Sequence, residues 1–569
     1  MAQESVPRRL GSLRDPSELM QPERLGALKH TRLSFARLLM RRMVDEQWEI
    51  DLREVTLDEE GNGRARYSIS TPSHEFSFPI FSQKISEAEK TDRITADTWD
   101  MWGFLCEGNP SDEFVDWQFE ELPNVRTGRA TPDVLIWTRG NRSSRFFDHI
   151  VDSLTAGHQP DVDFLAKGGY LIRSSGYYGN GLNGTKVFRS FESDHPLGEP
   201  YLAQMFSAYM WRIFGYDLAD TIAAERNSDA ATLDPAIKRY LGTGNSSGMG
   251  VALFAMNHPK LVHTWLRARE IALARAKAIE PSREDVVTLQ NFLAKAEVWF
   301  EEDDSDSKEF FLSKSEIASG LRDVRNRLDD VGSSDVSSWA QLCDWSERNL
   351  KPEAREVLHS LLIDVHPSVC EGLAETLTTS EKTDIVPEMS TATLRSILDS
   401  NYRWALNIDM SRPEATHHFW YRSENGEEPR LGITGENDAE EYSRPIDIAL
   451  RVQRLEDDLR ASAPSTTVGE FLFDHPEHRY VVERVQTVHD LPYAEIRGNP
   501  LDADFIPLHL VSLIKSFWGI QKAHPANKGW VKGTFFQGAP LPEDVRDGDR
   551  SYWMYPSRPE RANEWRDHR

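Results

Sequence analysis

"GGYLIRSSGYYGNGLNGTK", residues 168–186, and "GTGNSSGMG", residues 242–250, together hold ten of the chain's 34 glycines, far above an even share of 569 residues. Glycine loses the most backbone entropy on folding, so such crowding points to positive φ or to close approach of the backbone to something else. The fold turns on how these two stretches are read. As loops, they bracket the strongest amphipathic pattern in the chain. Leu202, Met205, Phe206, Tyr209, Met210, Ile213 and Phe214 recur there with helical spacing. One long core helix between the stretches would return both to the same end of a bundle.

Outward from this centre the pattern stays largely helical. "LVHTWLRAREIALARAKA" and "SREDVVTLQNFLAKAEVWF" predict two helices, the second opened by a capping pair at Ser282 and Asp285. "RPIDIALRVQRLEDDLRA" and "IPLHLVSLIKSFWGI" predict two more. Near the start, "HTRLSFARLLMRRMV" reads as an amphipathic helix. Three alternating runs follow it: "QWEIDLREVTLD", "GRARYSIST" and "HEFSFPIFSQ". They predict a β-meander with a turn at "EEGNG". No repeat of solenoid length is present. The expected fold is mainly α, a large helical core or bundle with a small N-terminal antiparallel β-sheet, α+β overall. The expected division is an α+β region over 1–140, a helical core over 141–420, and a mostly helical region over 421–569.

Composition narrows the function classes. A net charge of −26 argues against a nucleic-acid binder and against an anionic membrane surface. Cys106, Cys343 and Cys370 lie far apart with no CxxC pair, which predicts no disulfide framework and fits a reducing compartment. The first twenty residues lack an apolar h-region, and no window approaches a membrane span. A cytoplasmic chain, with a homodimer as its assembly, is the expectation.

Chemistry is sought in the glycine clusters. Backbone N–H groups left free in Gly/Ser/Asn-rich segments bind anions, and a guanidinium pairs bidentately with carboxylate or phosphate. Arg173, Ser174, Asn180, Gly244, Asn245, Ser246 and Ser247 are therefore the candidate substrate-binding residues. Tyr177, Tyr178 and Lys186 are the candidate catalytic ones, because a cation beside a phenol favours its ionised form. Asp92 and Arg93 form a further polar pair before a predicted helix. The expected function is an enzyme acting on a small anionic metabolite by acid–base chemistry of lyase or isomerase type. The alternatives are a helical oxidoreductase with a metal or a phosphate-bearing cofactor, and a non-catalytic scaffold.

Several motifs nearly form. Gly179 to Lys186 has Thr and Lys in the wrong order for a phosphate-binding P-loop. Gly242-x-Gly244-x-x-x-Gly248 is one residue too long for a dinucleotide fingerprint and follows the helical "DPAIKRYL". Gly244 to Gly248 matches G-x-S-x-G, but strand context on either side is not apparent, so Ser246 is not expected to be a nucleophile. The E-x-x-H pairs Glu192/His195 and Glu414/His417 occur no more often than chance in a chain this rich in Glu and His. His475 and His478, with His489 and a strand-like "RYVVERV", read as a solvated segment. No stoichiometric metal and no cofactor are expected.

Overall fold

The computed structural model describes residues 13–86, 99–121, 134–178, 195–199, 201–245, 259–302, 313–331, 338–377, 385–412, 433–434, 441–442, 448–494, 513, 515–527, 530–549 and 553–559. β1 (Glu49–Leu57), β2 (Gly63–Ser70) and β3 (Glu75–Ser82) form the meander that their alternation predicts. The sheet continues well past them. β4 (Met101–Glu107), β5 (Val134–Arg142), β6 (Tyr170–Tyr178) and β7 (Gly242–Asn245) extend it. β8 (Ile520–Asn527) and β9 (Trp530–Phe535) complete it, giving nine strands in the order β1-β2-β3-β4-β5-β6-β7-β9-β8.

This nine-stranded mixed sheet overturns the expectation of a small N-terminal antiparallel sheet in a mainly helical protein. The missed strands have a common cause. β5 is buried at every position and β4 at all but its last. A strand covered on both faces loses the alternation that marks a half-buried one. β6 was concealed by its Gly, Ser and Tyr content, and β7 is only four residues long.

Helices supply the cover. α1 (Phe35–Asp45) is the amphipathic helix read near the start, and α2 (Asp112–Glu121) lies over an aromatic face of the sheet. That face gathers Trp99, Trp102, Phe104, Cys106, Val115, Val134 and Trp137 into one cluster. On the opposite face lie α3 (Phe146–Thr155) and α4 (Leu202–Arg226). α4 is the predicted core helix, buried around most of its circumference, as a helix sunk in a large core should be. Trp211 donates from Nε1 to Thr138 Oγ1 at 2.7 Å, and Thr243 Oγ1 donates to the Ala208 carbonyl at 2.8 Å. These bonds fix α4 on β5 and β7.

Beyond the sheet, α5 (Pro259–Lys277) and α6 (Arg283–Glu302) are the two helices expected there. Asp285 N–H donates to Ser282 Oγ at 3.1 Å and Ser282 N–H returns to Asp285 Oδ2 at 2.8 Å, the reciprocal cap read from sequence. α6, the helices Lys314–Val331 and Trp339–Asn349, and α7 (Pro352–Val365) enclose a second core. A third core, drawn from residues 385–494, includes α8 (Ile448–Ala461), α9 (Val468–Asp474) and α10 (Arg479–Val488). α10 corrects the strand reading of "RYVVERV". The three cysteines are buried and form no disulfide. Among the described residues no helix is long and apolar enough to cross a membrane.

Candidate anion site at the parallel strand pair

β6 and β7 are the one parallel pair among the described strands of the sheet, with Arg173 opposite Gly244 and Ser174 opposite Asn245. A parallel pair requires a crossover, and α4 provides it. The carboxyl ends of both strands therefore face the same way. In open α/β sheets the carboxyl ends of parallel strands are where ligands bind. On its other side β6 pairs antiparallel with β5.

The side chains divide by face. Thr138, Ile172 and Thr243 sit on the α4 side; a Cβ added at Gly215 of α4 would come within 2.9 Å of Ile172 Cδ1. Arg173 alternates with Ile172 and is in register with Asn141, so it belongs to the other, aromatic face. Arg139 occupies the same face, its guanidinium 4.0 Å from the Trp99 ring centroid and 5.9 Å from that of Trp102. Asn141 Oδ1 accepts the Asp100 N–H at 2.8 Å, and Asp100 Oδ2 accepts the Arg142 N–H at 2.8 Å. A polar row thus borders an aromatic wall.

Arg173 is the uncommitted member of this row. Its Nε is buried and has no hydrogen-bond partner among the described residues, and no ion pair to it occurs among them. Tyr170 lies nearby. Burial pushes its phenol up, while Arg173 and Arg145 pull the other way. Arg145 itself rides over Phe146 and Phe164 at 5.2 and 5.1 Å. Two arginines therefore share one tyrosine at this edge.

The glycines of β7 turn out to serve close approach. Neither Gly242 nor Gly244 has positive φ. A Cβ on Gly244 would lie 2.7 Å from the Tyr170 ring, and one on Gly242 would lie 2.1 Å from the Phe535 carbonyl oxygen. Left-handed backbone is thus not what Gly244 supplies; it lets the Tyr170 ring cross β7.

The structure brings Arg173 and Gly244 together and puts Ser174 beside Asn245 in backbone register. Ser174 is fully buried, and its Oγ has no partner among the described residues. As the neighbour of Arg173 on an alternating strand, it points to the α4 side. The backbones of Tyr177 and Tyr178 pair with Thr138 and Trp137. Asn180, Lys186, Ser246 and Ser247 lie outside the described residues, as do Asp92, Arg93, Glu192, Glu414 and His417. His195 is described: its Nδ1 accepts the Leu197 N–H at 3.0 Å and its Nε2 meets Glu107 Oε1 at 2.7 Å. His475 and His478 come together, whereas His489 sits against Asp490 at 3.1 Å. Sequence reading missed Tyr170, Arg139, Arg145, Trp99 and Trp102. Only the demand of Gly244 for a large neighbour could have pointed to Tyr170.

One further correction concerns Ser246. A strand, β7, ends at the residue before it. The strand context thought missing from Gly244-x-Ser246-x-Gly248 is present on its N-terminal side. No family model matches the chain, and no curated protein or solved structure does either.

Proposed function

We propose that the protein binds a small anionic metabolite, bearing a carboxylate or phosphate, at the carboxyl end of β7, beside Arg173 of β6. The reaction proposed with it is proton abstraction beside that anionic group, of lyase or isomerase type, with Tyr177 and Tyr178 as acid–base groups on the strand that carries Arg173. One observation carries the binding claim: Arg173 has a buried Nε without a partner among the described residues, beside the parallel pair from which both glycine-rich segments emerge. A buried polar donor left unbonded costs free energy, and an anion would satisfy it. Thermal-shift measurement against a panel of mono- and dicarboxylates and phosphate esters tests the claim. At least one should raise the melting temperature, and Arg173→Lys should weaken that ligand by about 1–3 kcal/mol, because a point charge cannot reproduce the guanidinium fork. Absence of any shift across the panel would favour the scaffold reading.

A second reading follows from β7. β7 runs into Gly244-x-Ser246-x-Gly248 and ends at Asn245, which favours Ser246 as a nucleophile just past a strand end. Fluorophosphonate labelling that disappears in Ser246→Ala would establish it. An unlabelled chain would leave the acid–base reading in place.

A further inference from the structure

The third core carries a second candidate site, independent of the parallel strand pair. His475 ends α9, Pro476 forces a tight turn, and His478 precedes α10. The sequence grouped this H-x-x-H with His489, which in the fold sits against Asp490 instead. The fold adds Asp458 from α8 and Glu477 from the turn: one ligand atom from each of the four residues lies within 4.8 Å of all the others. His478 Nε2 and Asp458 Oδ2 are 2.6 Å apart, and His475 Nδ1 and Glu477 Oε1 are 3.4 Å apart. Both imidazoles stack on Phe471, with ring centroids at 4.8 and 5.8 Å, and Phe471 is buried in the third core. The ring planes are thus set by apolar packing before any ligand arrives.

We propose that Asp458, His475, Glu477 and His478 form a binding site for a divalent transition metal of the Zn²⁺ class. Tetrahedral zinc with ligands at about 2.0–2.2 Å separates its donor atoms by roughly 3.4 Å; His475 and Glu477 already stand 3.4 Å apart, His478 and Asp458 must open from 2.6 Å, and wider pairs must close from at most 4.8 Å. Two carboxylates offset the charge of the cation, and two imidazoles give the nitrogen donors that zinc favours over magnesium or calcium. Metal at Nε2 of His478 takes the place of the hydrogen bond to Asp458 and requires the imidazole proton, where present, to sit on Nδ1. Four protein ligands close the coordination sphere, which marks a structural site. The metal would staple α8 to the α9–α10 turn. The other convergent group, His74, Glu107 and His195, lacks this capacity. It offers three ligands where the first group offers four, and His195 Nδ1 is taken by the Leu197 N–H.

The test uses the full chain, stripped with chelator and titrated with ZnCl₂ and with CoCl₂. The expected result is one zinc retained per chain after dialysis, a raised melting temperature, and the intense visible bands of tetrahedral Co²⁺. His475→Gln and Glu477→Gln, at partly exposed and exposed positions, should each lower zinc affinity at least tenfold while the metal-free circular dichroism stays unchanged. Zinc well below one equivalent, or full retention in the His475→Gln/Asp458→Asn double variant, would overturn the site. Should a variant fail to fold, diethylpyrocarbonate modification of the unaltered chain decides. Protection of His475 and His478 by zinc supports the proposal, and unhindered modification contradicts it.

Discussion

At the scale of single residues, Gly244 shows which of the two causes of glycine crowding applies. Its crowding with other glycines marked a place where side chains are not tolerated. The cause is the Tyr170 ring, which a Cβ would meet at 2.7 Å, and not a left-handed turn. Gly244→Ala should therefore destabilise the chain by about 1–3 kcal/mol, the usual cost of overpacking. Tyr170→Leu in the same chain should recover part of that loss, since it removes the ring that clashes. Denaturant midpoints of the two single variants and the double variant measure the coupling. Strict additivity would contradict the packing explanation. Arg173, the proposed anion anchor, stood out as a cation among glycines, whereas the aromatic cluster on its face of the sheet is built largely from β4 and β5, distant in sequence and invisible to local pattern.

At the scale of elements, α4 and the meander were legible because each presents its own period to one neighbour. β4 and β5, covered on both faces, offer only short apolar runs that a buried helix could equally contain. β8 and β9 enter the sheet from the far end of the chain, a pairing that no local signal records. Besides the β7–β9 ladder, one buried arginine ties that junction together. Arg212 of α4 is fully buried, and its guanidinium donates to the carbonyls of Leu241, Pro540, Lys238, Arg239 and Ala539 at 2.6–3.2 Å. Five carbonyls from segments flanking β7 and β9 thereby converge on one side chain. Arg212→Met should cost at least about 3 kcal/mol, because buried acceptors lose their charged donor with no water to replace it. A urea titration that finds less than about 1 kcal/mol would show that this convergence contributes little.

At the scale of the molecule, a buried ionic network joins the N-terminal segment to two helical layers. Arg14 bonds Glu270 of α5 at 2.7 Å and Glu356 of α7 at 2.5 Å, and its Nη1 lies 3.4 Å from His359 Nδ1. Burial, helped by the charge of Arg14, lowers His359 to about 4. Burial pushes Glu356 up, but Arg14, His359 and Arg269 outweigh it and hold the carboxyl well below its ordinary range. Both shifts favour the fold at higher pH. The His359 contribution is fully present above about 6.5 and is lost as pH falls towards about 4, a change of up to roughly 3 kcal/mol. Asp217, pushed up to about 6 by burial, acts in the opposite sense as pH rises through that value. The comparison that isolates the network is therefore parent against His359→Gln at pH 7.5 and 5.0. The parent should lose more stability on acidification than the variant, and equal losses would dissociate His359 from the effect. The central claim concerns place: one anion, bound where two glycine-rich segments leave a parallel strand pair. Hydrogen–deuterium exchange with and without the anion that stabilises the protein most tests it directly. The account predicts slowed exchange in peptides covering both 168–186 and 242–258; protection confined to one of them, or to other parts of the chain, would contradict it.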